Sequence, residues 1–221
     1  PMRRNQRSSG MNNQNRLAFA LWLACSTLPP AAHAAQLTAQ VVDPAGQAVA
    51  NAVVHATLLS GTAPARPRKE ISVEQINKEF VPLVSVGQTG TLVNFPNRDQ
   101  IRHHVYSFSP AKTFEIKLYS GVPAKPVLFD KPGEVVLGCN IHDTMLAYVL
   151  IVDTPFFSKT DKQGKAALDT LPAGEYEVQV WYPGSGSTPA PQKIRLGAAD
   201  SRDLKFVFAL RPQSGRPAAG K

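Results

Sequence analysis

The chain has 221 residues, 43% of them hydrophobic and 18% charged, values ordinary for a globular protein and sufficient for one large or two small cores. Nineteen prolines and 15 glycines argue for many turns and against long helices. The net charge of +8 suggests nucleic acid, but Arg3, Arg4, Arg7 and Arg16 precede residue 35 with no acid among them. Without them, 20 basic face 16 acidic residues, a mild +4. Arg66 and Arg68, and later Arg211, Arg216 and Lys221, fall in Pro-rich or Gly-rich stretches that read as solvated linker and tail. Nucleic-acid binding is therefore not expected.

Residues 1–34 read as a secretory signal peptide, with Met11 as the expected start. Asn15-Arg16 precedes the apolar run Leu17 to Cys25, which is followed by Pro29-Pro30 and the small-residue site Ala32-His33-Ala34. The run is too short to span a bilayer, and no other segment is a candidate span. Cleavage after Ala34 leaves an exported chain, periplasmic in a bacterium. A lipid anchor at Cys25 is the weaker alternative, because Leu23-Ala24-Cys25 makes only a degenerate lipidation box. Loss of Cys25 with the signal leaves Cys139 alone in an oxidising compartment, where thiols are bridged, oxidised or metal-bound.

From residue 36 to 210 the chain predicts short strands between turns, an all-β architecture of antiparallel sandwiches. Leu37 to Val41 alternates and ends at the Asp43-Pro-Ala-Gly46 turn, and Val53 to Leu58 follows. Residues 61–69 read as a linker. Strands are then expected at Ile71–Val73, Phe80–Val86, Thr91–Phe95, Val105–Phe108, Thr113–Tyr119, Val135–Leu137 and Met145–Asp153. After Pro155, turns at Asp161-x-x-Gly164 and Pro172-x-Gly174 frame further strands at Tyr176–Val180, Ile194–Leu196 and Leu204–Leu210.

The chemistry lies in the middle of the chain. Cys139-Asn-Ile-His142-Asp-Thr-Met145 puts a thiolate, an imidazole and a thioether on one short loop, where all three can turn to one point. Arg102-His103-His104-Val105 offers a second imidazole from a distant strand. Two His and one Cys with a weak axial Met is the ligand set of blue copper sites; zinc takes further Cys or His, and iron–sulfur clusters take more thiolates. Strand alternation sends His103 and His104 to opposite faces, so one of them binds, and periodicity alone does not choose between them. Asn97 and Asn140 are candidates for holding the ligand loops by side-chain hydrogen bonds. Asp143 is a candidate for shifting the site's electrostatics.

These residues resemble the cupredoxin superfamily, in particular its amicyanin-like, short-loop members, whose ligand loop also runs Cys-x-x-His-x-x-Met. Lys131 to Cys139 resembles the hairpin leading to the cysteine, Ala147 to Val152 the strand after the methionine, and Val93 to Val105 the segment that delivers the first histidine. The resemblance covers residues 70–154 and implies a Greek-key sandwich holding one copper ion through His103, Cys139, His142 and Met145. It selects His103 by aligning Val105 with the family's His-Asn-Val, which makes His104 a neighbour that steadies the cysteine loop. The arrangement is also similar to exported proteins labelled methylamine-utilisation or plastocyanin-like. The flanks, 35–60 and 155–210, resemble the two parts of a transthyretin-like (carboxypeptidase regulatory-like) or Ig-like sandwich, into which the middle is inserted or beside which it packs. Residues 211–221 read as a disordered tail.

The resemblance implies a periplasmic carrier of single electrons, not an enzyme, serving a redox protein such as a cytochrome. Copper sequestration or delivery is the alternative. A redox-silent adaptor with a structural Cys139 is the third reading.

Overall fold

The structure is a computed structural model and describes residues 35–65, 70–123, 125–183, 185 and 188–209. The expected signal peptide and tail lie outside these residues, as does part of the expected linker. No helix occurs among the described residues, and none is therefore long and apolar enough to cross a membrane. Every regular element is a strand, as the dense turn signals predict.

The chain begins with β1 (Ala35–Val42) and β2 (Val53–Leu58). In β1 every second residue from Ala35 to Val41 is buried, the two-residue period of a strand with one face on a core. Asp43 ends it by accepting the backbone N–H groups of Ala45 and Gln47 on one carboxylate oxygen, at 2.9 and 2.8 Å.

The middle contributes β3 (Ile71–Ser72), β4 (Glu74–Ile76), β5 (Glu79–Val81), β6 (Val84–Gln88), β7 (Thr91–Asn94), β8 (His103–Ser109), β9 (Lys112–Tyr119), β10 (Val127–Phe129), β11 (Gly133–Gly138) and β12 (Leu146–Val152). Five of these form a sheet in the order β6-β12-β11-β8-β9, with β6 and β12 parallel and the other pairs antiparallel. A three-stranded sheet, β10-β7-β3, contributes Val93 and Phe129 to a core shared with Val105, Val135, Leu137, Ala147, Val149 and Ile151 of the larger sheet. The short β4–β5 hairpin turns through Asn77 and Lys78, both left-handed at φ 54° and 61°.

The last strands are β13 (Phe157–Lys159), β14 (Lys165–Leu171), β15 (Gly174–Trp181), β16 (Gln192–Leu196) and β17 (Ser201–Val207). They return to the first two. The sheet β14-β1-β17 packs on the sheet β13-β2-β15-β16 around Leu37, Val54, Leu168, Tyr176, Val178 and Phe206. Gly164, at φ 75°, sits where an added Cβ would lie 2.4 Å from the Val41 carbonyl oxygen, so this turn requires glycine.

A smaller apolar cluster joins the two sandwiches: Val53, Phe157 and Trp181 of the outer one meet Val84, Leu150 and Val152 of the central one. Lys159 crosses the same junction and donates from Nζ to the Val84 carbonyl at 2.6 Å, and burial lowers its pKa from the ordinary lysine value.

Candidate metal centre

One end of the five-stranded sheet gathers the start of β8, the end of β11 and the loop into β12. His103 opens β8, where the pairing with β9 shifts register between His103 and Val105, a bulge that re-aims the strand. Cys139 follows the last residue of β11. His142 and Met145 lie on the connection to β12, which turns back as the Met145 N–H donates to the His142 carbonyl at 2.9 Å. One ligand atom from each of His103, Cys139 and His142 lies within 4.8 Å of the other two.

The group is shielded from water: His103 is 0% exposed and Cys139 3%. His103 Nδ1 stands 4.0 Å from Cys139 Sγ, and the His103 and His142 ring centroids are 5.0 Å apart. His142 Nδ1 is sealed from solvent and has no hydrogen-bond partner. A buried polar nitrogen left in that state costs free energy unless something occupies it, and a metal ion would do so. Donors bound to one first-row ion at roughly 2.0–2.3 Å stand about 3.3–4.0 Å from each other at tetrahedral to trigonal angles, and the histidine–cysteine pair lies at the upper edge of that range. Met145 is 2% exposed and packs in the same core as Cys139.

His103 and His104 face opposite sides of the sheet. His104 lies on the outer face with its ring 5.7 Å from that of Tyr106. Its Nε2 is 3.0 Å from Glu115 Oε1, without the geometry of a hydrogen bond. His104 is thus placed against β9. Asn140 and Asp143 are exposed. Asn97 is buried and organises the loop into β8: its Nδ2 donates to the carbonyls of Ile101 (2.8 Å) and Tyr119 (3.0 Å), and its Oδ1 accepts the Asp99 N–H (2.9 Å).

Asp99 was not among the residues singled out from the sequence. Its Oδ2 meets His103 Nε2 at 2.7 Å, on the ring edge away from Cys139. The backbone N–H groups of Asn77 and Lys78 donate to Oδ1 and Oδ2 at 2.7 and 2.9 Å. Desolvation alone would push this carboxyl up; the Lys78 N–H, His103 and the Asn77 N–H outweigh it and hold the group below the usual carboxylate range. The available signal was an acid four residues before a candidate ligand histidine. Beneath the site, burial pushes the Tyr119 phenol up to about 12; it accepts from Gln75 and donates to the Phe95 carbonyl.

No protein-family profile matches the chain, and no curated protein is significantly similar to it. Solved structures are. The copper-containing nitrite reductase of Thermus scotoductus SA-01 is 23% identical over 44% of this chain and 26% of its own length, with a TM-score of 0.37. The chain thus spans about a quarter of that protein. A purple cupredoxin from Nitrosopumilus maritimus is 17% identical over 38% of this chain and 100% of its own, at a TM-score of 0.34. A reduced Cu(I) amicyanin variant is 18% identical over 44% and 99%, at 0.35. The central strands form two packed sheets, with the cysteine loop joining β11 to β12 at the end where the two histidines gather.

Proposed function

We propose that the chain binds one copper ion that His103, Cys139 and His142 would hold, with Met145 as a weaker fourth donor, and carries single electrons between redox partners. The observation that carries this reading is the pairing of Cys139 Sγ with two imidazoles inside 4.8 Å, in a pocket where His142 Nδ1 has no other partner. Thiolate and imidazole are the donors that suit copper, and a Met on the next turn extends the same set. Copper bound here supplies a one-electron couple. The chain's own contribution is to hold the donors in place on two strand ends and a short loop, so that neither oxidation state requires the sheet to move. The 0% exposure of His103 and 3% of Cys139 keep water from those ligands.

The same reading takes residues 1–34 as an export signal and the periplasm as the place of work, with a redox protein such as a cytochrome as partner. It treats the chain as a carrier with no catalytic step of its own. Titration of the metal-free protein with Cu(II) tests it: one equivalent should produce an intense visible thiolate-to-copper band, and the loaded protein should exchange electrons rapidly and reversibly with a cytochrome. Tight binding without that exchange would move the assignment to copper storage or delivery. No coloured complex at all would sink the copper reading.

A further inference from the structure

We propose that Asp99 is the positioning residue of the metal centre, fixing the His103 ring with Nδ1 unprotonated toward Cys139 and placing a negative charge behind that ligand that favours Cu(II) over Cu(I). The second half rests on the copper reading above; the first half does not.

Both oxygens of Asp99 accept fixed backbone donors, Oδ1 from Asn77 and Oδ2 from Lys78. Two backbone N–H groups aimed at its oxygens favour the carboxyl's anionic, acceptor-only form. Its remaining partner, His103 Nε2 at 2.7 Å, must then donate. A neutral imidazole with its proton on Nε2 keeps the lone pair on Nδ1, and that is the atom 4.0 Å from Cys139 Sγ. The ring is 0% exposed, so no water competes for either nitrogen. The donors themselves are set by the left-handed tip of the β4–β5 hairpin, and the Asn97 side chain fixes the Asp99 backbone. A carboxylate held in this way raises the donor strength of the imidazole and stabilises the more highly charged ion.

The tautomer half is read without any metal, by nitrogen-15 NMR of His103 in the metal-free full-length chain. A proton on Nε2 is expected; a proton on Nδ1 overturns the assignment. The charge half is read with Asp99→Asn, whose amide leaves one oxygen for three donors. Cu(II) binding should weaken about 10–100-fold. Cu(I) binding should weaken less, and each tenfold difference between the two ions raises the reduction potential by about 59 mV. Equal weakening for both ions at unchanged potential would show that Asp99 merely holds the loop together, and the charge half would fall. Absence of a coloured complex in the unmutated protein would reject the copper reading, while the NMR measurement still decides the tautomer. Should Asp99→Asn fail to fold, the NMR experiment on the unmutated chain still decides the tautomer half, and the charge half is read with Asp99→Glu, which keeps the charge and should keep the potential.

Discussion

Trp181 of β15 donates its indole N–H to the Glu134 carboxylate of β11 at 3.0 Å, and its ring meets Tyr148 of β12 edge-on at a centroid distance of 6.4 Å. One side chain from the outer sandwich thus contacts two neighbouring strands of the sheet that ends in the candidate metal centre. Trp181 and Phe157 are the two aromatic side chains of the apolar cluster at the junction. Truncation should remove apolar area and leave Glu134 without its donor. Trp181→Ala is expected to cost about 2–3 kcal/mol and to split a single thermal unfolding transition into two. Calorimetry checks this. One transition retained in the variant would mean that the remaining contacts couple the sandwiches by themselves.

At the metal centre, His103→Ala should lose the native copper spectrum, because it deletes the buried Nδ1 facing Cys139. His104→Ala should keep that spectrum, because its ring lies on the other face beside Glu115. Cys139→Ser should abolish the thiolate-to-copper colour and leave the fold intact, since a single sulfur contributes little to this core. Met145→Leu should keep the colour and shift the potential, as a weak axial thioether allows. Visible absorption and voltammetry of the four variants report all of this, and loss of colour in His104→Ala would reverse the choice of histidine.

Gly138 offers a separate test of packing. It precedes Cys139, and an added Cβ would stand 2.7 Å from the Tyr106 ring. Gly138→Ala should therefore cost about 1–3 kcal/mol by overpacking, and pairing it with Tyr106→Ala should recover much of the loss. Denaturant titration of the single and double variants measures the coupling. Independent, additive effects would mean that Tyr106 swings clear of the new methyl group without cost.

The outer sandwich carries a pH dependence through His55 of β2. Burial lowers its pKa below the ordinary 6.5, outweighing the attraction of Glu177, and its Nδ1 has no partner among the described residues. The unfolded chain therefore binds the proton at higher pH than the folded one. This contribution to stability is complete above about pH 6.5 and is lost as pH falls below it toward the folded value. His55→Gln should flatten the fall in melting temperature between about pH 6.5 and 5. Identical slopes in the two proteins would show that other groups carry the effect.

The all-β architecture was legible because period-two burial and turn residues leave local marks: the alternation read at Tyr176–Val180 is the buried face of β15, and the Asp43 turn closes β1. The Cys139, His142 and Met145 spacing was legible for the same reason, three donor types within one loop. Other features left little trace. β10 and β4, each only three residues long, were absent from the expected strands, and the stretch read as one strand from Phe80 to Val86 is divided between β5 and β6. Asp99 escaped notice because its role depends on backbone N–H groups more than 20 residues earlier in the chain, and backbone donors carry no side-chain signature. His104 has the composition of a loop-steadying neighbour, but only the sheet's register shows that it faces Glu115.

The pairing of β1 with β17 places Gln36 opposite Ser201 and Val42 opposite Val207. A contact between the two ends of the chain requires closing a very long loop, and an unstructured loop of about 100 residues costs roughly 4 kcal/mol in entropy. The strands of the central sandwich all lie between Ile71 and Val152, and the segments that flank them meet in the native structure, where Phe157 pairs with His55. The inserted sandwich thus does the closing for its host, and assembly runs from the inside outward. In pulse-labelled refolding, amides of β8 and β11 should gain protection before those of β1 and β17.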